Sequence, residues 1–179
     1  HASTWNGQVV DSSLQAEYVE RGVLFGSLES LIAEHGERLR PYVLRHLVSP
    51  ERDRFAALAS AFWTSGQLLL VPRGVSIRCP LHVFSTLGAA GVDIQRTVVI
   101  LEEGAEATLI CETASGATPT RIPASASTPT SVADDPHRNV SEAPGLHCGI
   151  TEVVVGPNAH LRLVNLQNWG SGVWHFAHQ

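Results

Sequence analysis

Three windows of the chain align with one another without a gap: "LLLVPRGVSIRCP" (Leu68–Pro80), "VVILEEGAEATLI" (Val98–Ile110) and "EVVVGPNAHLRLV" (Glu152–Val164). Each carries a mostly apolar run, a polar pair, then Gly74, Gly104 or Asn158, and then a second run. Glycine and asparagine tolerate positive φ, so each window reads as strand, tight turn or corner, strand. The step from Leu68 to Val98 is a single short repeat, whereas the step from Val98 to Glu152 is nearly twice as long and encloses "SGATPTRIPASASTPTSVADDPHRNVSEAPG". That insert, at about residues 115–145, is rich in Pro, Ser, Thr and Ala and has almost no large apolar residue. It has too little to bury to offset its ordering entropy, so the sequence predicts a mobile loop there. Removing it returns the spacing to roughly one repeat.

Repeats of this length built from short strands predict a mainly β fold, the coils of a β-helix or solenoid that stack and bury a continuous apolar interior. A sandwich of hairpins is the alternative. The unbroken runs "LLLV", "TVVIL" and "EVVV" suit well-buried strands, since hairpins with one wet face alternate more cleanly. The expected division is a helical segment at 1–65 followed by a partial β-helix core at 66–179. Within residues 27–65, Leu28, Leu31, Ile32, His35 and Leu39 recur at helical steps behind Ser27 as N-cap. Pro41 fits the first turn of a second short helix. A further helix is expected with Ser49 as N-cap, Pro50 at the first position, early Glu51 and Asp53, and an apolar stripe of Phe55, Leu58, Ala59 and Phe62.

With 179 residues, 44% of them hydrophobic, the chain is long enough for one packed core. Its net charge of -5 and the lack of any basic cluster argue against nucleic acid as a partner. No run reaches the ~18 apolar residues of a membrane span, and "HASTWNGQVV" lacks the apolar centre of a signal peptide. A cytoplasmic chain is expected. Cys79, Cys111 and Cys148 lie far apart with no CxxC pair, which favours free thiols over a disulfide framework and signals no closed zinc site. There is no methionine, even at position 1, so His1 reads as a point inside a longer protein.

Chemistry-bearing residues are few. In "WHFAHQ" an extended strand puts His175 and His178 on opposite faces, a poor arrangement for one ion. His147 and Cys148 are neighbours that diverge in the same way, and a small buried thiol is the simpler reading of both Cys148 and Cys111. No Gly-x-Ser-x-Gly, P-loop or dinucleotide motif occurs, and Glu102 and Glu103 precede a turn as a solvated corner. Gln167 and Trp169 share one face of "LQNW" with Asn168 on the other. If that face looks inward, an amide and an indole N–H enter an apolar interior and need partners; an amide ladder or a core-filling Trp is the structural alternative.

Four segments carry a resemblance to a known family: "RGVLFGSLESLIAEH" at 21–35, "DRFAALASAFWTSGQLLLVPRGV" at 53–75, "QRTVVILEEGAEATLI" at 95–110 and "LHCGITEVVVGPNAHLRLVNLQNWGSGVWHFAHQ" at 146–179. The chain resembles the SufB/SufD proteins of the SUF iron-sulfur cluster assembly system. The resemblance implies a right-handed parallel β-helix behind a helical N-terminal part, in a non-enzymatic scaffold subunit that pairs with a SufB-like subunit and the SufC ATPase. The complex, not this chain alone, would handle the cluster transiently, with no cofactor bound stably here. SufB-like chains carry a sulfur-handling cysteine where alignment through Gly104 and Ile110 places Thr113; Cys111 lies two residues earlier on the same face. The family's Phe-Arg-Ile-Asn stretch corresponds to Ser85–Gly88, "STLG". Gln167 and Trp169 match the family's interior Gln and Trp, and "WHFAHQ" is closer to the SufD side. Interface ligands and the region that contacts SufC belong to coils that the family carries beyond Gln179. A β-helix that binds or degrades polysaccharide is the alternative function, and it calls for exposed aromatics and a carboxylate row.

Overall fold

The computed structural model describes residues 1–116 and 144–179, so the loop expected at about 115–145 falls almost wholly outside the described residues. In chain order the elements are β1 (Ala2–Trp5), β2 (Gln8–Ser12), α1 (Ala16–Glu20), β3 (Leu24–Ser27), α2 (Leu28–Val43), α3 (Arg54–Phe62), β4 (Ser65–Val71), β5 (Leu81–Leu87), β6 (Val92–Leu101), β7 (Glu106–Ser115), β8 (Gly145–Val155), β9 (His160–Asn168) and β10 (Val173–His178). They form two five-stranded sheets, β2-β1-β5-β7-β9 and β10-β8-β6-β4-β3. The fold is mainly β, and both sheets are mixed. From β4 onward successive strands alternate between the sheets, and every neighbour they meet within a sheet from that stretch is parallel. A hairpin sandwich would need antiparallel neighbours at each tight turn. The described strands pair antiparallel only at β1/β2 and β3/β4.

The gap-free alignment of the three windows is the strand register itself. Leu68 pairs with Val98, and Val98 with Glu152. Gly74, Gly104 and Asn158 adopt φ of 67°, 66° and 55°, the left-handed conformation that the turn requires. The turns are stitched to one another: Gly74 N donates to Glu103 O at 2.9 Å and Gly104 N to Pro157 O at 2.9 Å. In the first window the second strand does not form. Val75–Pro80 contributes a single bridge, Ser76 to Glu106, and β5 starts only after Pro80, which has no N–H to give a ladder.

Two apolar layers explain the unbroken runs. Leu69, Val71, Val99 and Leu101 of one sheet meet Val83, Ala107 and Leu109 of the other between the sheets. The opposite faces of β4 and β6, through Leu68, Leu70, Val98 and Ile100, lie under Leu28, Leu39 and Val43 of α2. All seven residues of β4 are buried as a result. Farther along, α3 covers Cys148 and Ile150 with Ala56 and Ala59, and its Phe55 stacks on Phe176 at 3.6 Å between ring centroids.

The helices depart from expectation in their details. Ser27 does cap α2, accepting from Ser30 N at 3.4 Å. That helix then runs to Val43 with a kink at His35, so Pro41 lies inside it and not in the first turn of another. Asp53, not Ser49, caps α3: its carboxylate accepts from Phe55 N and Ala56 N at 2.8 and 2.9 Å. Ser49 Oγ instead accepts from Glu51 N within a turn. The buried stripe is Ala56 and Ala59, because a close approach to the sheet favours small side chains, while Phe62 is 64% exposed. The helical character expected over 1–65 holds for α2 and α3. The stretch ahead of Leu28 adds three strands and only the short α1, since β1 extends one sheet beside β5 and β3 pairs with β4. Strands this short carry little periodicity, and the local signal here is the Asn6–Gly7 turn between β1 and β2, with both residues at positive φ.

One buried ion pair fastens the helical layer. Arg96 donates to Glu152 Oε2 from Nη2 at 2.6 Å and from Nε at 2.9 Å, and Nη2 also reaches Val43 O at 2.6 Å. Glu152 Oε1 accepts from Val48 N at 3.4 Å, so the end of α2 and the segment after it are tied to the sheet.

Candidate interior polar site

The space between the sheets changes character along the strands. Near the turns it is apolar; at the other end the ladders Ser85–Thr113–Gln167 and Val83–Cys111–Asn165 line one wall. Gln95, Thr97, His147, Gly149, Thr151 and His175 line the wall opposite, around a cavity of about 50 Å³. Deeper among the buried residues, Gln67 is 1% exposed, and neither atom of its amide has a protein partner.

His147 and His175 come together because β10 pairs with β8 in parallel, with His175 beside His147 in the register. Their Nδ1 atoms are 2.9 Å apart. On the other side of the ring, His147 Nε2 lies 3.4 Å from Gln95 Oε1, and Gln95 Nε2 donates to Ser85 Oγ at 3.2 Å. Because an amide oxygen only accepts, His147 carries its proton on Nε2. Its Nδ1 then accepts from His175 Nδ1–H, which leaves His175 Nε2 without a proton. Burial, and then the neighbouring His175, pull the His147 pKa down to about 4. Burial lowers that of His175 as well, so both rings are neutral at neutral pH. The His147 ring lies over Gly149, where an added Cβ would stand 2.9 Å from His147 Cε1.

Trp169 closes the group, its ring 5.0 Å from that of His147 and 5.3 Å from that of His175. Its indole Nε1 is buried without a protein partner. Gln167 lines the cavity from the outermost strand of its sheet and is exposed. The two therefore share the inward face, but only Trp169 touches the histidines among the contacts described.

The cysteines divide. Cys111 lies half-buried in the cavity wall, with its thiol pushed up to about 11 by burial, so it is protonated and a poor nucleophile. Cys148 is on the opposite face of its strand, under α3, where Sγ donates to Phe55 O at 3.5 Å; burial and then Asp53 raise its pKa. Cys79 is exposed. His147 and Cys148 thus diverge, and so do His175 and His178, the latter lying 3.2 Å from Asp53 at the start of α3. Glu102 and Glu103 hold a surface corner with Arg73. Among the described residues no three His, Cys, Asp or Glu side chains are grouped to hold a metal ion.

His175, Gln95 and Ser85 were missed as members of this group. The signal was the period: the step from His147 to His175 equals the one that relates Leu81 of β5 to Leu109 of β7.

Parallel strands that alternate between two sheets, helices packed on one outer face and an interior polar at one end define a stacked-strand protein with an internal site. Residues 1–83 match the family model described as the SufBD protein N-terminal region, and residues 84–179 that of the SUF system FeS cluster assembly, SufBD core domain. The chain belongs to the SufBD family. Similar curated proteins include those named iron-sulfur cluster assembly SufBD family protein in Staphylococcus epidermidis, Staphylococcus haemolyticus and Staphylococcus aureus. Each is 26% identical over 174 residues, covering 97% of this chain and 32% of the relative. The chain thus spans about a third of the length of these relatives.

Proposed function

We infer that this chain is part of a SufD-like subunit of an iron-sulfur cluster assembly complex, a cytoplasmic scaffold with no catalysis of its own. It pairs with a SufB-like subunit and a SufC-type ATPase, and the cluster passes through the complex without becoming a resident cofactor of this chain. The alternation of parallel strands between two sheets supports a β-helix of stacked coils as its core.

The observation that carries the SufD-like reading is the interior wall at Thr113. Thr113 stands between Ser85 and Gln167 in the ladder, at the position that resemblance gives to a sulfur-handling cysteine in SufB-like chains. The nearby thiol, Cys111, is held protonated by burial and is a poor sulfur acceptor. Such a wall suits a partner that completes a complex more than a subunit that receives sulfur. The polysaccharide reading draws no support: aromatics make up 6% of the chain, and the corner carboxylate of Glu103 is paired with Arg73.

The test is affinity purification of the full-length protein from its own cells at native expression. A SufB-like chain and an ATPase in stoichiometric amounts are expected. Recovery of the protein without either would sink this assignment.

A further inference from the structure

We propose that the His147–His175 pair is the point at which the chain takes up a ferrous ion, the two Nδ1 atoms serving as neighbouring ligands. The proposal rests on the assembly reading above for the choice of iron as cargo; the geometry argues for a borderline divalent metal independently. Two nitrogens each ~2.1 Å from one ion and at right angles to each other stand ~3.0 Å apart. The pair stands at 2.9 Å in its hydrogen bond, with ring planes inclined by 35°, so the separation already matches and the rings must turn for both lone pairs to meet at one ion. Imidazole nitrogen suits iron and zinc.

The surroundings fit a ligand pair better than a structural hydrogen bond alone. The relay from Ser85 through Gln95 to His147 Nε2 fixes the outer nitrogen of the ring, the arrangement that orients metal-binding histidines. Gly149 leaves the ring its place. The cavity of about 50 Å³ borders both histidines and has the Cys111 thiol on its far wall. Binding requires the proton on His175 Nδ1 to move to its Nε2, so that both rings coordinate as neutral imidazoles with no net proton lost. With two protein nitrogens and no third ligand grouped beside them among the described residues, the ion keeps water in its shell. That suits a site of transfer and not of storage.

The experiment is anaerobic titration calorimetry of the full-length protein with ferrous ammonium sulfate, paired with cobalt(II) absorption spectra, on wild type, His175→Gln, His147→Gln and Gln95→Leu. Wild type is expected to take up one ion, either histidine change to weaken binding at least ~10-fold, and Gln95→Leu to weaken it by ~10-fold or more. His175→Gln, nearer the surface, keeps the test open if His147→Gln fails to fold. No uptake by wild type, or unchanged affinity in folded His175→Gln, overturns the proposal. Copurification with the SufB-like chain is scored on the same proteins. Retained copurification with lost iron uptake supports the pair as the uptake point, whereas wild type that binds iron but purifies without partners overturns the assembly reading and leaves the metal pair standing.

Discussion

Asp93 is a carboxyl held where a charge is unwelcome. It accepts a hydrogen bond from Ser65 Oγ at 2.6 Å, and burial raises its pKa against the lowering effect of that bond. Its folded value lies above the unfolded one, so the native state holds the extra proton. The stability it contributes is full below the ordinary carboxylate range and is lost as pH rises through the raised value. Asp93→Asn keeps an acceptor for Ser65, and is predicted to raise the urea midpoint at neutral pH and to flatten its dependence on pH; an unchanged slope would contradict this. Gly149→Ala brings a Cβ to 2.9 Å from His147 Cε1 and should cost about 1–3 kcal/mol by overpacking. Imidazole nitrogen NMR is predicted to register the loss of the bond between the histidines. At this scale the sequence was legible only in relative terms. Alternation told that His147 and Cys148 diverge and that Gln167 and Trp169 share a face, but which face of β8 is inward depends on α3 covering the other.

Elements are held by few groups whose loss has distinct signatures. Arg96 and Glu152 are both buried, at 5% and 4% side-chain exposure, and share their bonds with Val43 O and Val48 N. Glu152→Ala leaves an uncompensated guanidinium and is predicted to destabilise by about 3–5 kcal/mol in equilibrium unfolding. A double change of Arg96→Met and Glu152→Leu should recover much of that loss. For α3, Asp53→Ala is expected to lower the thermal midpoint and Ser49→Ala to leave it unchanged, since only Asp53 accepts from the first turn. The sequence favours Ser49, because Pro50 follows it where a proline suits the first helical position. The cap is Asp53 instead because the preceding segment is held at the sheet by Val48 N on Glu152, a contact far apart in the chain that no local pattern carries.

For the whole molecule the repeat was legible because each repeat must turn in the same left-handed conformation, and Gly74, Gly104 and Asn158 mark it in the sequence. Of the strands ahead of α2, β1 and β3 are completed by β5 and β4 far along the chain, whereas the β1/β2 hairpin carries a local mark in its Asn6–Gly7 turn. The interior gradient follows from the same stacking: each repeat contributes one residue per layer, so Ser85 joins Thr113 and Gln167 in one polar layer. The central claim is that this polar end serves an iron-sulfur assembly subunit. It is tested most directly by returning the full-length gene to cells that lack it and measuring aconitase activity in extracts. Wild type and the surface-corner variant Glu103→Gln are predicted to restore activity, and the double variant Gln95→Leu with His175→Gln to restore severalfold less at equal protein level. Full restoration by the interior variant, or none by wild type, would contradict the account.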